Sequence, residues 1–125
     1  MSGAVLDTGA LIAFEQADRV MVALVARAFE LRLPFGVPAG VVGQVWRSGR
    51  RQARLAQLLN SPLVEVVPLT DAAARAAGQL CGATKTRDVI DASVVLLARE
   101  RRASIVTSDA GDLGRLGPEL VLVTV

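Results

Sequence analysis

Short apolar runs recur along this chain, and the stretches between them carry the periodicity of amphipathic helices, a pattern that leaves few folds open. The runs lie at residues 4–6, at 35–37 before Pro38, at 63–69 ("LVEVVPL"), in "ASIVTSD" ending at Asp109, and in the closing "ELVLVTV". The intervening segments read as helices over 8–14, over 19–31 with Val20, Ala23, Leu24, Ala28 and Leu31 on one face, and over 50–59. Val41, Val42, Val45 and Trp46 suit one face of another helix that halts near Ser48 and Gly49. Thr70 is placed to cap the alanine-rich "DAAARAAGQLCG", which Gly82 is expected to end, and "DVIDASVVLLARERR" starts a further helix near Asp88. Strands alternating with helices predict an α/β fold whose central parallel sheet, of four to five strands, is flanked by helices on both faces. With 125 residues and no linker or repeat, residues 1–125 are read as one domain.

Which residues are missing constrains the chemistry. The chain has no histidine, so Ser-His-Asp, Cys-His and His-ligated zinc designs are excluded, and catalysis must rest on carboxylates. Cys81, the one cysteine, can form neither an intramolecular disulfide nor a zinc cage and reads as a small core residue. No apolar stretch of about 20 residues and no basic leader is present, so a soluble cytoplasmic protein is expected, with no membrane partner. A net charge of only +2 makes the whole-molecule field a weak attractor for nucleic acid.

Acidic residues fall where a parallel sheet binds ligands, beyond the carboxyl ends of its strands. Asp7 ends the first strand and Asp109 the fourth, Asp112 follows three residues later, and Asp88 and Asp91 open the helix that precedes the fourth strand. An aspartate at a helix start also caps free amides, and for Asp88 that reading stands beside the functional one. Asp91 lies in a segment expected to be largely buried, where an unpartnered carboxylate is costly and a cation would stabilise it. Carboxylates gathered in one pocket raise one another's pKa values, and a divalent cation removes that repulsion. Because the available ligands are oxygens, hard Mg²⁺, with Mn²⁺ able to substitute, fits better than zinc or copper. Such an ion can activate water and neutralise a phosphodiester without any histidine.

The strings "VLDTGALIA", "DVIDASVVLLAR" and "IVTSDAGDL", in that order and spacing, resemble the PIN-domain ribonucleases, and within them the VapC toxins of bacterial VapBC toxin–antitoxin pairs. The resemblance covers essentially the whole chain. It implies a Mg²⁺-dependent endoribonuclease that cuts transfer, ribosomal or messenger RNA, is held inactive by a cognate VapB antitoxin, and is a homodimer. The family's acids fall on Asp7, Asp91 and Asp109, with Asp112 close by and Asp88 where a subset carries a further acid. The family's second acid, commonly a glutamate after strand two, falls within "GVVGQVWRSG", where this chain has Gln44. A glutamine carbonyl can ligate a hard cation or orient water, but it adds no negative charge and cannot serve as a carboxylate base. Asp88 or Asp112 could supply the missing charge; otherwise the scaffold binds RNA or a partner protein with little or no cutting.

Arg47, Arg50, Arg51 and Arg54 surround Gln44, either as ordinary solvated residues or as contacts to RNA phosphate or antitoxin. Trp46 is expected in core or dimer packing rather than as a base-stacking platform. Arg99, Arg101 and Arg102 suit the negative pole of their helix. Asp-Thr-Gly at 7–9 also occurs in aspartic proteases, and "VVG" at 41–43 mimics a downstream string of theirs, but that fold is nearly all strand while two long segments here are helical. A phosphorylated aspartate after the first strand is the other enzyme rival. Gly9 stands where a haloacid-dehalogenase pattern needs a second aspartate, and Lys85, the only lysine, lies in a loop before Asp88 rather than late in the chain as a receiver domain requires.

Overall fold

A computed structural model describes residues 3–125. Five strands, β1 (Ala4–Leu6), β2 (Phe35–Pro38), β3 (Val64–Val67), β4 (Ser104–Thr107) and β5 (Leu122–Thr124), form one sheet in the order β3-β2-β1-β4-β5. Every pairing is parallel, with Val5 opposite Gly36 on one side and Ile105 on the other. Seven helices connect them: α1 (Thr8–Glu15), α2 (Arg19–Glu30), α3 (Ala39–Val45), α4 (Ala53–Leu59), α5 (Asp71–Thr84), α6 (Val89–Arg101) and α7 (Leu113–Leu116). This is the expected α/β architecture, with the upper strand number.

Burial explains why the strands read as continuous apolar runs. All four residues of β2 are buried, as are the successive Val5 and Leu6 of β1 and Ile105 to Thr107 of β4, so both faces of the sheet centre are covered. The edge strands β3 and β5 are more exposed. On α6, Ala92, Val94, Val95, Leu97 and Ala98 are buried, which makes it the helix most committed to the core. Cys81 on α5 is buried, as expected. Each buried aliphatic side chain contributes on the order of 1.5–3 kcal/mol of hydrophobic stabilisation.

Several boundaries differ from the sequence reading. Gly82 does not stop α5, which runs to Thr84 and ends on Lys85 in the left-handed conformation (φ 56°). The alanine-rich flanks outweigh one helical glycine, a cost of about 1 kcal/mol. Strand β4 ends at Thr107, two residues before Asp109. Helix α3 ends at Val45 and α4 starts only at Ala53, because the side chain of Gln52 accepts hydrogen bonds from the amides of Arg47 (2.7 Å) and Ser48 (2.9 Å) and holds 46–52 as a closed turn. Trp46 is therefore a helix end rather than a core residue: it is 38% exposed and lines a surface groove with Val42, Ala56, Leu59, Asn60 and Val66. Arg99 and Arg101 find carboxylate partners, Glu119 and Glu65, and Arg102 closes α6 in the left-handed conformation.

Candidate metal and catalytic site

The chain runs from β1 outward through β2 to β3, then returns to place β4 on the other side of β1. That reversal opens a crevice beyond the carboxyl ends of β1 and β4, the position where open α/β sheets bind ligands. One open cleft there is lined by Asp7, Asp88, Asp91, Asp109, Asp112 and Gln44. All six candidates from the sequence thus meet in one place. Thr8, Gly9, Thr107, Ser108 and Gly111 complete the lining.

Asp7 is fixed more firmly than its neighbours. It is 5% exposed, its amide extends the β1–β4 ladder by donating to the Val106 carbonyl (3.2 Å), and its Oδ1 caps α1 by accepting from the Ala10 amide (2.8 Å). Capping and facing the cleft are compatible, since a carboxylate has a second oxygen. Gly9 permits the close approach of β4: a Cβ there would lie 2.2 Å from the Ser108 hydroxyl oxygen. The Asp-Thr-Gly string thus ends a strand, opens a helix and leaves room for the neighbouring strand end.

Asp88 caps α6, its Oδ1 accepting from the amides of Ile90 and Asp91 (3.0 Å each), so the capping reading holds for it while it also lines the cleft. Asp91 follows one turn later and is half-buried. Asp109 is exposed; its Oδ1 accepts from the Gly111 amide (3.0 Å), and its own amide donates to the Thr107 hydroxyl (3.1 Å). Asp112 precedes α7 without a side-chain capping bond. Gln44, on the last turn of α3, is exposed, and its carbonyl oxygen accepts a hydrogen bond from the Thr8 hydroxyl.

Excess negative charge marks the cleft. Burial pushes the Asp7 carboxyl above its ordinary range and Asp109 adds to the effect, against the opposing pull of the Thr107 hydroxyl and the Ala10 and Gly9 amides. Asp91 is pushed up to about 6, first by burial, then by the charges of Asp88, Asp7 and Asp112, and by a hydrogen bond with Asp88 that favours the protonated form. Perturbed carboxyls gathered in a cleft mark a candidate functional site. Among the described residues, no three carboxylates already stand grouped as a metal cage. Asp7, Asp88 and Asp109 each accept a hydrogen bond from backbone amides through one carboxylate oxygen. As a donor set the cleft nonetheless suits a hard cation, being all oxygen and short of positive charge.

The sequence reading missed the supporting hydroxyls. Thr8 and Thr107 are signalled only by adjacency, one following Asp7 and the other beginning the "TSD" string. That Thr8 engages Gln44, 36 residues away, has no sequence signature.

A PIN-domain family profile matches residues 4–117. No curated protein matches the sequence. Solved structures with similar folds include VapBC2 from Rickettsia felis bound to a DNA fragment from its promoter (TM-score 0.70, 15% identity, 98% of each chain covered). FitAcB from Neisseria gonorrhoeae is similar at TM-score 0.64 and 17% identity over 96% of each chain. VapBC-5 from Mycobacterium tuberculosis, a member of the VapBC family of toxin–antitoxin systems, is similar at TM-score 0.57 and 22% identity over the full length of both chains. No helix among the described residues is long and apolar enough to cross a membrane.

Proposed function

Because the chain belongs to the PIN-domain family, whose members are generally nucleases, we propose that it is a divalent-metal-dependent endoribonuclease, folded as one domain over its whole length, and that it works at the cleft beside β1 and β4. The observation that carries this reading is the convergence of five aspartates from separate segments on one crevice with no basic side chain among its described lining residues. Such a site costs stability unless something positive enters it. With no histidine in the chain, acid and base work falls to the carboxyls.

Asp7, Asp91 and Asp109 would hold Mg²⁺ or Mn²⁺, and Asp88 and Asp112 would add negative charge at the rim. A divalent cation supplies charge neutralisation on the scissile phosphodiester and lowers the pKa of water. Asp7, tied to the β1–β4 ladder and to the first turn of α1, is the rigid member of the set. Burial and the neighbouring aspartates push the Asp91 carboxyl up to about 6, so in the metal-free protein its carboxylate form becomes dominant only above that pH. Gln44 adds no charge; with its carbonyl engaged by Thr8, its amide nitrogen is the end able to donate to a phosphate oxygen.

In this reading the protein is the toxin of a type II pair, a homodimer restrained by a VapB-type antitoxin, supported by the fold shared with members of VapBC systems. The test is cleavage of end-labelled RNA by antitoxin-free protein with Mg²⁺, Mn²⁺ or chelator, beside Asp91→Asn. Discrete fragments that need metal and disappear in the variant are expected. Identical behaviour of folded wild type and variant would remove the catalytic reading. Gln44 favours a second reading, a scaffold that holds RNA or a partner protein without cutting, which predicts RNA association that survives chelation.

A further inference from the structure

We propose that the turn between α3 and α4 is a docking surface for the RNA backbone, with Arg50, Arg51 and Arg54 contacting phosphates of the strand that enters the acidic cleft. The inference rests on the ribonuclease reading and adds to it the surface that holds the substrate.

A cleft lined by five carboxylates can attract a polyanion only at a bound cation, so the rest of the affinity for the RNA backbone must come from elsewhere on the surface. Of the 14 basic residues, Arg27, Arg75, Arg99 and Arg101 are paired with carboxylates. Arg50, Arg51 and Arg54 are exposed and form no ion pair among the described residues. Helix stability does not account for them either, because they stand at the amino-terminal end of α4, where a cation gains nothing from the helix dipole.

The turn that carries two of them is built rather than loose. Gln52 is 8% exposed and fully engaged: its Oε1 accepts from the amides of Arg47 and Ser48, and its Nε2 donates to Glu15 Oε2 (2.6 Å) and the Val45 carbonyl (2.9 Å). Arg47 donates to the carbonyls of Gly43 and Trp46 and so closes α3 instead of pointing a free charge outward. Glu15, the one carboxylate lining this face, is occupied as the anchor of Gln52. A fixed turn loses little conformational freedom on binding. It is also tied to the cleft through two helices, since α1 starts at Thr8 in the cleft and ends at Glu15 under the turn, about 10 Å along the helix axis, and α3 carries Gln44.

The experiment compares the full-length protein with an Arg50→Ala, Arg51→Ala double variant and with Arg54→Glu. Binding of a fluorescein-labelled, uncleavable single-stranded RNA oligonucleotide is followed by anisotropy over a series of salt concentrations, and KM is measured on a cleavable RNA. The double variant should bind on the order of tenfold more weakly and show a log affinity against log salt slope shallower by about 1.4, from two lost phosphate contacts. KM should rise in step, with Arg54→Glu weakening binding further. Trp46 supplies an internal reporter, because Gly49 packs so closely that a Cβ there would lie 3.2 Å from its ring; RNA should change its emission in the wild type and not in the double variant. Unchanged affinity and slope would overturn the proposal, as would variants that keep RNA affinity but lose a protein partner. If the wild type cuts no RNA under any metal condition and the variants still lose RNA binding, the nuclease reading falls and the docking surface stands.

Discussion

Asp91 is the residue on which the most physics converges. Its carboxyl is pushed up to about 6 by burial and by three neighbouring aspartates, so folding favours its neutral form relative to the unfolded chain. Because its folded pKa lies above the unfolded value of 3.8, the folded state binds more protons between those limits. The metal-free protein should therefore lose stability as pH rises from about 4 to about 6 and change little beyond, with Mg²⁺ or Mn²⁺ restoring the loss above pH 6. Thermal melts across that range, with and without metal, check this. Asp91→Asn removes the charge and should raise the metal-free melting temperature by a few degrees, roughly the effect of 1 kcal/mol in a domain of this size, while reducing cleavage at least about 100-fold. A carboxylate whose removal stabilises the fold while abolishing activity is there for function. Gln44→Glu should act in the opposite sense, tightening Mn²⁺ binding severalfold and lowering metal-free stability, as read by calorimetry and melting.

At the level of elements, the turn between α3 and α4 depends on one side chain. Gln52→Ala removes two acceptor and two donor contacts from a buried site and should cost roughly 2–4 kcal/mol, with faster hydrogen exchange at the Arg47 and Ser48 amides as the local signature. This was not legible in the sequence. A run of arginines and a Ser-Gly pair suggested a helix starting at residue 50, whereas the outcome depends on Glu15 and Val45 receiving the Gln52 amide, contacts that exist only once α1 and α3 are packed together. The core alternative for Trp46 fails for the same reason, while dimer packing stays open to an exposed residue: a residue in phase with Val42 and Val45 belongs to the buried face only if the helix continues past it. Elements whose own residues carry the signal fared better. Thr70 caps α5 and Asp88 caps α6 through their own side chains, both placed from local spacing alone.

For the whole molecule, strand order turns separate aspartates into one site. Five apolar runs and intervening helices made a parallel sheet legible, and the rule that ligands bind beyond strand carboxyl ends picked out Asp7 and Asp109 before any contact was known. The order β3-β2-β1-β4-β5 was not legible, because pairing of β1 with β4, about 100 residues apart, leaves no local signal in the sequence. Once β4 lies beside β1, Asp7 and Asp109 share a crevice and the start of α6 brings Asp88 and Asp91 to it. The cleft is acidic and the turn at the far end of α1 is basic; under the proposed function the turn would attract a polyanion and a cation in the cleft would neutralise it at one point. Whether this crevice binds a divalent metal is measured most directly by the position of Mn²⁺ from anomalous diffraction of crystals grown near pH 7.5. A peak bounded by oxygens of Asp7, Asp91 and Asp109, lost in Asp91→Asn, is expected. A cleft without metal at saturating Mn²⁺, or a peak bound elsewhere and unaffected by the substitution, would contradict it.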